Sequence, residues 1–371
     1  MSFLLELFVF AGAAIWLGIL LAPWRPWSTR EQLSSNGDKF TADDLTVLIP
    51  ARNEAATIRQ TLAAIREQGR DIQIILVDDQ SEDTTADIAY EMNDPNLKVV
   101  RGASLPDGWT GKLWALEQGI QQVQTEYLLL LDADIELKPG MLAAMRKKMD
   151  ADSVVFLSIM ARLRMENIWE KLLMPAFIFF FKLLYPFQLS NSANRFVAAA
   201  AGGCILTKVS VIKDIGGFSA LHGTIIDDCS LAKQVKQAGC RTWIGLSQGV
   251  ISRRRYESFT VICDMVARTA FAQLRYSWSL LMICTILLLL AAWSLPIGVI
   301  IDEGLSMPVG LVGSAAMVAA YLPTLRYYGV NFFWALSMPI VATLYLYMAW
   351  VSAIRYLRGT RAIWKGREYS S

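Results

Sequence analysis

Three aspartate pairs and one lysine are the residues whose types and spacing allow chemistry. Asp132 and Asp134 follow the apolar run Tyr127–Leu131 in the order Asp-Ala-Asp. In extended chain, alternate residues share a face, so both carboxylates are expected to point one way. Like charges so close are costly unless a cation neutralises them. Mg2+ or Mn2+ takes oxygen ligands and commonly keeps waters and substrate phosphates; the plain alternative is a solvated turn. Asp78 and Asp79 end a second buried run, where acids can accept hydrogen bonds from a nucleobase edge or a ribose hydroxyl. Helix capping by Ser81 or Asp83 is compatible with that role. Asp227 and Asp228 open an amphipathic stretch through Leu231 and Val235. Acids in a first turn complement the helix dipole, and one of them can also act as general base toward an attacking hydroxyl.

Lys112, at a helix start in Gly108-Trp109-Thr110-Gly111-Lys112, sits beside free backbone N–H groups and suits an anionic phosphate. A surface lysine is the alternative. In Ile49-Pro50-Ala51-Arg52-Asn53-Glu54, Pro50 is expected to end a strand and Glu54 to open a helix. Pro50, Arg52 and Glu54 thus flank a place where a nucleotide can be met, or form an ordinary strand-to-helix cap.

The elements that must position these groups have a regular order. LTVLIP, IQIILVDD, LKVVR and YLLLLDAD are short apolar runs bounded by turn signals and read as buried strands. EAATIRQTLAAIREQG, TTADIAYEMN and KLWALEQGIQQVQ have helical spacing between them. This alternation predicts an α/β fold with a mainly parallel, doubly wound sheet, whose ligands bind at the carboxyl ends of the strands.

Apolar segments flank that region. Phe3–Ala22 is long enough to cross a hydrocarbon core of about 30 Å, with only Glu6 interrupting it. It has no basic residue before it, which argues against a cleaved signal peptide. Arg25, Arg30 and Lys39 follow it and place the next domain in the cytoplasm. Ser279–Ile301, Met307–Pro323 and Asn331–Ala353 read as C-terminal spans. Their topology raises a conflict. The loop Asp302-Glu303-Gly304 lacks cations and suits the outside, whereas Arg355, Arg358, Arg361, Lys365 and Arg367 suit the inside. Three full crossings from the cytoplasm would leave that basic tail outside, so either the middle segment does not cross or the charge rule fails. Ile168–Phe187 is apolar but punctuated by Lys171, Pro175, Lys182 and Pro186, and is read as an interfacial helix or hairpin.

The expected organisation is an anchor over 1–23, a linker over 24–44 and a cytoplasmic catalytic domain over 45–250, with 168–187 membrane-associated. Amphipathic juxtamembrane helices over 251–278, two or three transmembrane segments over 279–354 and a basic cytoplasmic tail over 355–371 complete it. Composition agrees: 54% of the 371 residues are hydrophobic and 18% charged, apolar for a soluble protein. A net charge of +2 gives no reason to expect a nucleic-acid partner. Five cysteines without CxxC spacing argue against a disulfide framework or structural zinc. A single histidine, His222, excludes a His-rich metal site.

Taken in order, IPARNE, VDDQSEDTT, GKLWALEQG, LDAD, AGGCILTK, GGF and DDCSLAKQVKQAG resemble the inverting family-2 glycosyltransferases of GT-A fold, over Leu45 to about Tyr276. GWTGKLWAL, QLRYS and the C-terminal spans are similar, more narrowly, to hopanoid-associated glycosyltransferases, relatives of ceramide glucosyltransferase. The resemblance implies that Asp79, with Asp78 beside it, binds the nucleoside. It makes Asp132 and Asp134 the metal-binding DxD, with Asp134 favoured as direct ligand, and Asp228 the catalytic base. Gly202 and Gly203 would line the acceptor pocket, with Asp227, Arg275 and Tyr276 at matching positions. Family members often carry Glu-Asp where this chain has Asp227-Asp228. Ala272-Gln273-Leu274-Arg275-Tyr276 departs from the Gln/Arg-x-x-Arg-Trp motif of processive members, which argues against polymer synthesis. The implied reaction moves a sugar from a nucleotide-diphospho-sugar, a UDP-sugar by preference, to a membrane lipid hydroxyl, of hopanoid or ceramide-like type. It would use a divalent metal, in a multi-pass protein of the cytoplasmic membrane. Interfacial Ile168–Phe187 and Arg253-Arg254-Arg255 would hold the site near the headgroups; a topology signal explains the arginines equally. A polyprenyl-phosphate sugar transferase, a processive polysaccharide synthase and, remotely, a non-catalytic membrane scaffold are the competing readings.

Overall fold

The computed structural model describes residues 2–35, 37, 40–41, 43–224, 226–301, 304–359, 363–364 and 367–368. Lys39, Asp302, Glu303, Arg361 and Lys365, used above to argue orientation, lie outside them. The chain divides into two compact units. One holds residues 31–164, 189–255 and 363–371, the other residues 1–30, 165–188 and 256–362.

Among the described residues the strands are β1 (Phe40–Thr41), β2 (Leu45–Ala51), β3 (Gly69–Arg70), β4 (Gln73–Asp78), β5 (Leu97–Arg101) and β6 (Tyr127–Leu131). There follow β7 (Ile135–Leu137), β8 (Phe156–Arg162), β9 (Cys204–Lys208), β10 (Thr242–Ser252), β11 (Ile363–Trp364) and β12 (Arg367–Glu368). The helices are α1 (Ser2–Leu21), α2 (Ile58–Arg66), α3 (Thr85–Glu91), α4 (Gly111–Ile120), α5 (Met141–Asp152), α6 (Ile168–Leu184) and α7 (Phe187–Ser190). They continue with α8 (Val209–Asp214), α9 (Asp227–Gln237), α10 (Phe259–Ala267), α11 (Ala270–Gln273), α12 (Trp278–Ile301), α13 (Ser306–Tyr327) and α14 (Met338–Leu357).

The first unit is built on an eight-stranded sheet in the order β5-β4-β2-β6-β9-β8-β10-β7. β5, β4, β2 and β6 are mutually parallel, and β8 and β10 run with them; β9 and β7 run against. The mixed, mainly parallel sheet expected from the sequence is therefore present. Its central strands are buried on both faces because each apolar run feeds two cores by alternation. Val47, Ile49, Leu129 and Leu131 pack on one side with Ile58, Leu62 and Met145. Leu48, Leu128 and Leu130 pack on the other with Leu113, Leu116 and Leu231. From β2 the chain moves outward to β4 and β5, then returns to place β6 on β2's other edge. That reversal opens a crevice at the carboxyl ends of β2, β4 and β6.

Two local expectations change. Pro50 lies inside β2, paired in register with Val77, at a level where pairing with β6 has already stopped at Leu48; a residue without an N–H costs little there. Glu54 precedes the helix rather than opening it: its carbonyl accepts from Thr57 and Ile58, and α2 begins at Ile58. Part of the polar stretch read as a linker joins the sheet, with Leu33 N–H donating to Leu246 O and Leu246 N–H to Glu31 O.

The second unit is helical. α1, α12, α13 and the stretch Phe332–Leu357 are each long and apolar enough to cross a membrane. The middle C-terminal segment, read as 17 residues from sequence, is a 22-residue helix. Many large apolar side chains here are exposed, Phe3 at 73%, Leu21 at 76% and Ile300 at 79% among them. In water each would forgo about 1.5–3 kcal/mol of burial, a cost that acyl chains remove. α6 is held by an Asn167–Glu170 capping box, and Glu170 also accepts from the Tyr256 N–H at 3.0 Å. Arg275 and Tyr276 belong to this unit, both with left-handed φ, and the Tyr276 ring stacks on Tyr356 at 4.6 Å.

Candidate active site

The carboxyl ends of β2 and β4 are cross-locked. Arg52, buried, donates through Nη1 to the carbonyls of Asp79 and Gln80, both at 2.7 Å, and reaches Glu82 at 3.0 Å. Asn53 N–H donates to Ser81 Oγ at 3.0 Å, and Glu82 N–H donates to Asn53 Oδ1 at 2.9 Å. Asn53 and Gln80 adopt left-handed φ of 53° and 54°, a conformation tolerated by Asn but strained for Gln. The guanidinium of Arg52 thus shapes the loop that follows Asp79. Asp79 is fully buried, and the buried Oδ1 of Asp78 has no hydrogen-bond partner. A buried acceptor left unpaired costs about 1–3 kcal/mol, which a ligand donor can recover.

Asp132 and Asp134 occupy a turn, not the extended chain from which their common direction was inferred. β6 pairs with β9 as far as Leu131–Cys204, and Ile135 N–H then donates to Asp132 O at 3.1 Å as the chain reverses into β7. Each acid consequently has its own partner. Asp132 Oδ1 meets Lys112 Nζ at 2.7 Å, whereas Asp134 Oδ2 accepts from Ser252 Oγ at 3.0 Å. Arg253 N–H fixes the Asp134 carbonyl at 2.8 Å.

Lys112, in the first turn of α4, and Asp228, in the first turn of α9, hold the two backbone polar groups of one residue, Gly202. Lys112 Nζ donates to Gly202 O at 3.1 Å, and Gly202 N–H donates to Asp228 Oδ2 at 2.9 Å. A Cβ on Gly202 would stand 3.2 Å from both Asp228 Oδ2 and Lys112 Nζ, so a larger residue would press on both side chains. Next to it, Gly203 leaves room beside Asp132 Oδ2, 3.7 Å from where its Cβ would be. Asp228 Oδ1 accepts from Cys229 N–H at 2.7 Å, and Asp227 Oδ1 from Asp228 N–H at 3.0 Å. These groups line one concavity with Pro50, Leu113, Phe218 and Leu231.

Electrostatics follow from this packing. Burial, and then the neighbouring Asp227 carboxylate, push Asp228 up to about 6, while Lys112 and the Cys229 and Gly202 N–H groups pull it back. Burial opposes the charge on Lys112, yet the Asp132, Asp227 and Asp228 carboxylates outweigh it and hold the ammonium above the ordinary lysine range. A carboxylate poised near neutrality beside a permanent cation can take a proton while its neighbour binds an anion.

Among the described residues no group of three or more His, Cys, Asp or Glu converges on one point. The donors present nevertheless suit a hard divalent ion of open coordination: two carboxylates, one with a side chain 34% exposed. The remaining ligands would come from a diphosphate and water.

Lys236 was not singled out from sequence. Buried on α9, it donates to the carbonyls of Ser190, Val197 at 2.7 Å and Leu189 at 3.4 Å. It ties the chain leading to Gly202 onto the helix that carries Asp228. Its signal was helical phase, since Cys229, Ala232 and Lys236 share the buried face of α9. Ser252, the partner of Asp134, carried no sequence signal. Arg275 and Tyr276 lie in the helical unit.

A mainly parallel sheet with this crevice, and aspartates at the ends of β4, β6 and at the start of α9, defines the GT-A fold. Residues 46–216 match the family model described as Glycosyl transferase family 2. The chain is 34% identical over 97 residues to 4,4'-diaponeurosporenoate glycosyltransferase of Staphylococcus haemolyticus. It is 34% identical over 110 residues to the protein of that name from Staphylococcus aureus. These matches cover 26% and 29% of this chain, and the chain spans about a quarter of the length of those relatives, 26% and 28%. Among solved structures, a mannosyltransferase from Pyrobaculum calidifontis, in complex with GDP-Man and Mn2+, superposes with a TM-score of 0.56 at 18% identity. It covers 96% of this chain and 100% of its own.

Proposed function

We propose that the chain is a membrane-bound inverting glycosyltransferase that moves a sugar from a nucleotide-diphospho-sugar to an oxygen of a membrane lipid. The observation that carries this reading is the Gly202 backbone, its C=O held by Lys112 and its N–H by Asp228, with Asp132 on the same lysine. Base, cation and phosphate-side acid then meet around one point at the sheet's switch crevice.

In this mechanism the unpartnered Asp78 Oδ1 accepts a donor from the nucleoside, and Arg52 keeps the Asp79–Glu82 loop in place beneath it. Lys112 exchanges part of its contact with Asp132 for the donor's diphosphate. Asp228 accepts the proton of the acceptor hydroxyl as that oxygen bonds to the anomeric carbon. The bond from that carbon to the diphosphate breaks in the same step, so the configuration inverts and no protein nucleophile is needed. Asp132 and Asp134 would hold a divalent metal, which supplies charge neutralisation on the departing diphosphate.

A lipid acceptor is supported by the exposed apolar helices of the second unit and by the names of the relatives, which act on 4,4'-diaponeurosporenoate. The sequence resemblance favours a hopanoid or ceramide-like lipid, and an amphiphile delivered from a bilayer is the reading we take. Arg25 and Arg30 after α1 support a catalytic unit on the cytoplasmic face, by the positive-inside bias. The test is to incubate the full chain in lipid vesicles with a panel of labelled UDP- and GDP-sugars. Label is expected in the lipid extract; label recovered solely on water-soluble acceptors would refute the lipid assignment.

A further inference from the structure

By length and hydropathy the helical unit offers four spans, but its internal contacts divide them unequally. α1 and α12 run in opposite directions. Trp16 Nε1 donates to Ala291 O at 2.7 Å, Gly12 lies against Ser294, and Val9 against Gly298. α13 runs with α1, since Gly313 packs on Ala13 and on Leu295. The start of α1 therefore sits where α12 ends and α13 begins, and Glu6 accepts there from Leu305 N–H at 3.2 Å. At the other end, buried Lys182 of α6 joins the exit of α1 to the exit of α13. It donates to Ser28 O at 2.9 Å, Thr324 Oγ1 at 3.2 Å and Trp27 O at 3.4 Å.

The chain beyond α13 turns back into the bundle, where Thr343 Oγ1 of α14 accepts from Trp293 Nε1 of α12 at 2.9 Å, before it returns to that second end. The 3-10 turn Phe332–Ser337 packs on α13 and α6, and Ala335 and Met338 are buried in one cluster with Trp16, Phe179 and Leu325. Tyr345 Oη then donates to Leu173 O of α6 at 2.8 Å. α14 finishes against the entrance of α12: Ser352 Oγ accepts from Phe271 N–H at 3.0 Å, Arg355 meets Asp264 at 2.5 Å, and Ala353 is buried with Leu281. The stretch after Tyr327 thus begins and ends on the same side.

We infer that the chain crosses the bilayer three times, through α1, α12 and α13, and that α14 is a re-entrant helix. Together with the 3-10 turn before it, this helix lays Leu336, Ile340, Tyr347 and Ile354, all exposed, against acyl chains and returns Arg355 and Arg358 to the face from which α12 enters. Charge agrees. Arg25, Arg30, Arg268, Arg275, Arg326, Arg355 and Arg358 all belong to segments at the second end, as the positive-inside bias requires. A fourth crossing would strand Arg355 and Arg358 opposite the rest. The conflict met in the sequence is removed without suspending the charge rule, and the segment that fails to cross is the last, not the middle one. Nothing in this inference depends on the transfer reaction.

The test uses the full chain in right-side-out and inside-out membrane vesicles, with single cysteines introduced as Ser34→Cys, Leu305→Cys and Ser371→Cys. Each is probed with a membrane-impermeant maleimide against the unmodified chain as background. Ser34→Cys and Ser371→Cys are expected to label from one face and Leu305→Cys from the other. Labelling of Ser371→Cys from the face of Leu305→Cys, or of all three from one face, overturns the inference. A fluorescent protein that matures solely in the cytoplasm, fused to the C-terminus, gives an independent readout: bright cells are expected, and dark cells with full-length fusion in the membrane count against it.

Discussion

The ionisation of Asp228 makes the site's chemistry measurable as stability. Its carboxyl is pushed from 3.8 up to about 6, chiefly by burial and by Asp227. A rise of roughly 2 units corresponds to about 3 kcal/mol of preference for the protonated form in the folded state. Between pH about 4 and 6 the folded chain holds this proton more tightly than the unfolded chain, so stability falls as pH rises through that window and stays lower above it. Asp228→Asn, always neutral, escapes the fall. Its single acceptor oxygen cannot serve both Gly202 N–H and Cys229 N–H, a loss of about 1–2 kcal/mol that does not vary with pH. The variant should therefore be the weaker protein at pH 3.5 and the stronger at pH 7.5, with the difference swinging by about 3 kcal/mol. For a unit of 150–250 residues that swing is roughly 6–12 °C in Tm. Thermal unfolding of detergent-solubilised protein and variant across pH 3.5–8 reads it directly. A difference independent of pH would refute the raised carboxyl. Sugar transfer by the variant should fall about 10²- to 10⁴-fold with donor binding retained; loss of donor binding would remove Asp228 from the base role.

Lys112→Met removes the cation that pulls Asp228 down, so the acidic limb of the kcat/KM profile should move above about 6, and kcat/KM should drop roughly 10- to 100-fold; an unmoved limb would separate the two groups. Asp134→Asn should weaken Mn2+ binding measured by electron paramagnetic resonance in the presence of a nucleoside diphosphate, while calorimetry without metal leaves nucleotide binding unchanged. Equal Mn2+ affinity would take Asp134 out of the metal site. Lys236→Met leaves buried carbonyls of Leu189, Ser190 and Val197 without their donor and should cost about 2–4 kcal/mol; an unchanged unfolding midpoint would deny it the tie between that loop and α9.

What the sequence by itself determined was the local and the periodic. Runs such as Leu128–Leu131 can be satisfied solely by a strand buried on both faces, and the acids that follow them fall at strand ends wherever the sheet is placed. Asp132 was legible for that reason, Lys112 and Asp228 as residues of helix starts, and the apolar helices because their length is a property of composition; Gly202 was named on the family resemblance alone. Tertiary structure decided everything that depends on which edges and ends meet. It turned the Asp-Ala-Asp segment into a tight reversal with separate partners for its two acids, because β6 loses its neighbour after Leu131 and β7 must lie on β10. It placed Gly202 between Lys112 and Asp228, residues 116 positions apart in the chain, and gave Arg52 to the loop beyond Asp79. It also brought α14 back to the end where α13 exits, since side-chain and backbone contacts among helices, not hydropathy, determine whether a long apolar segment crosses.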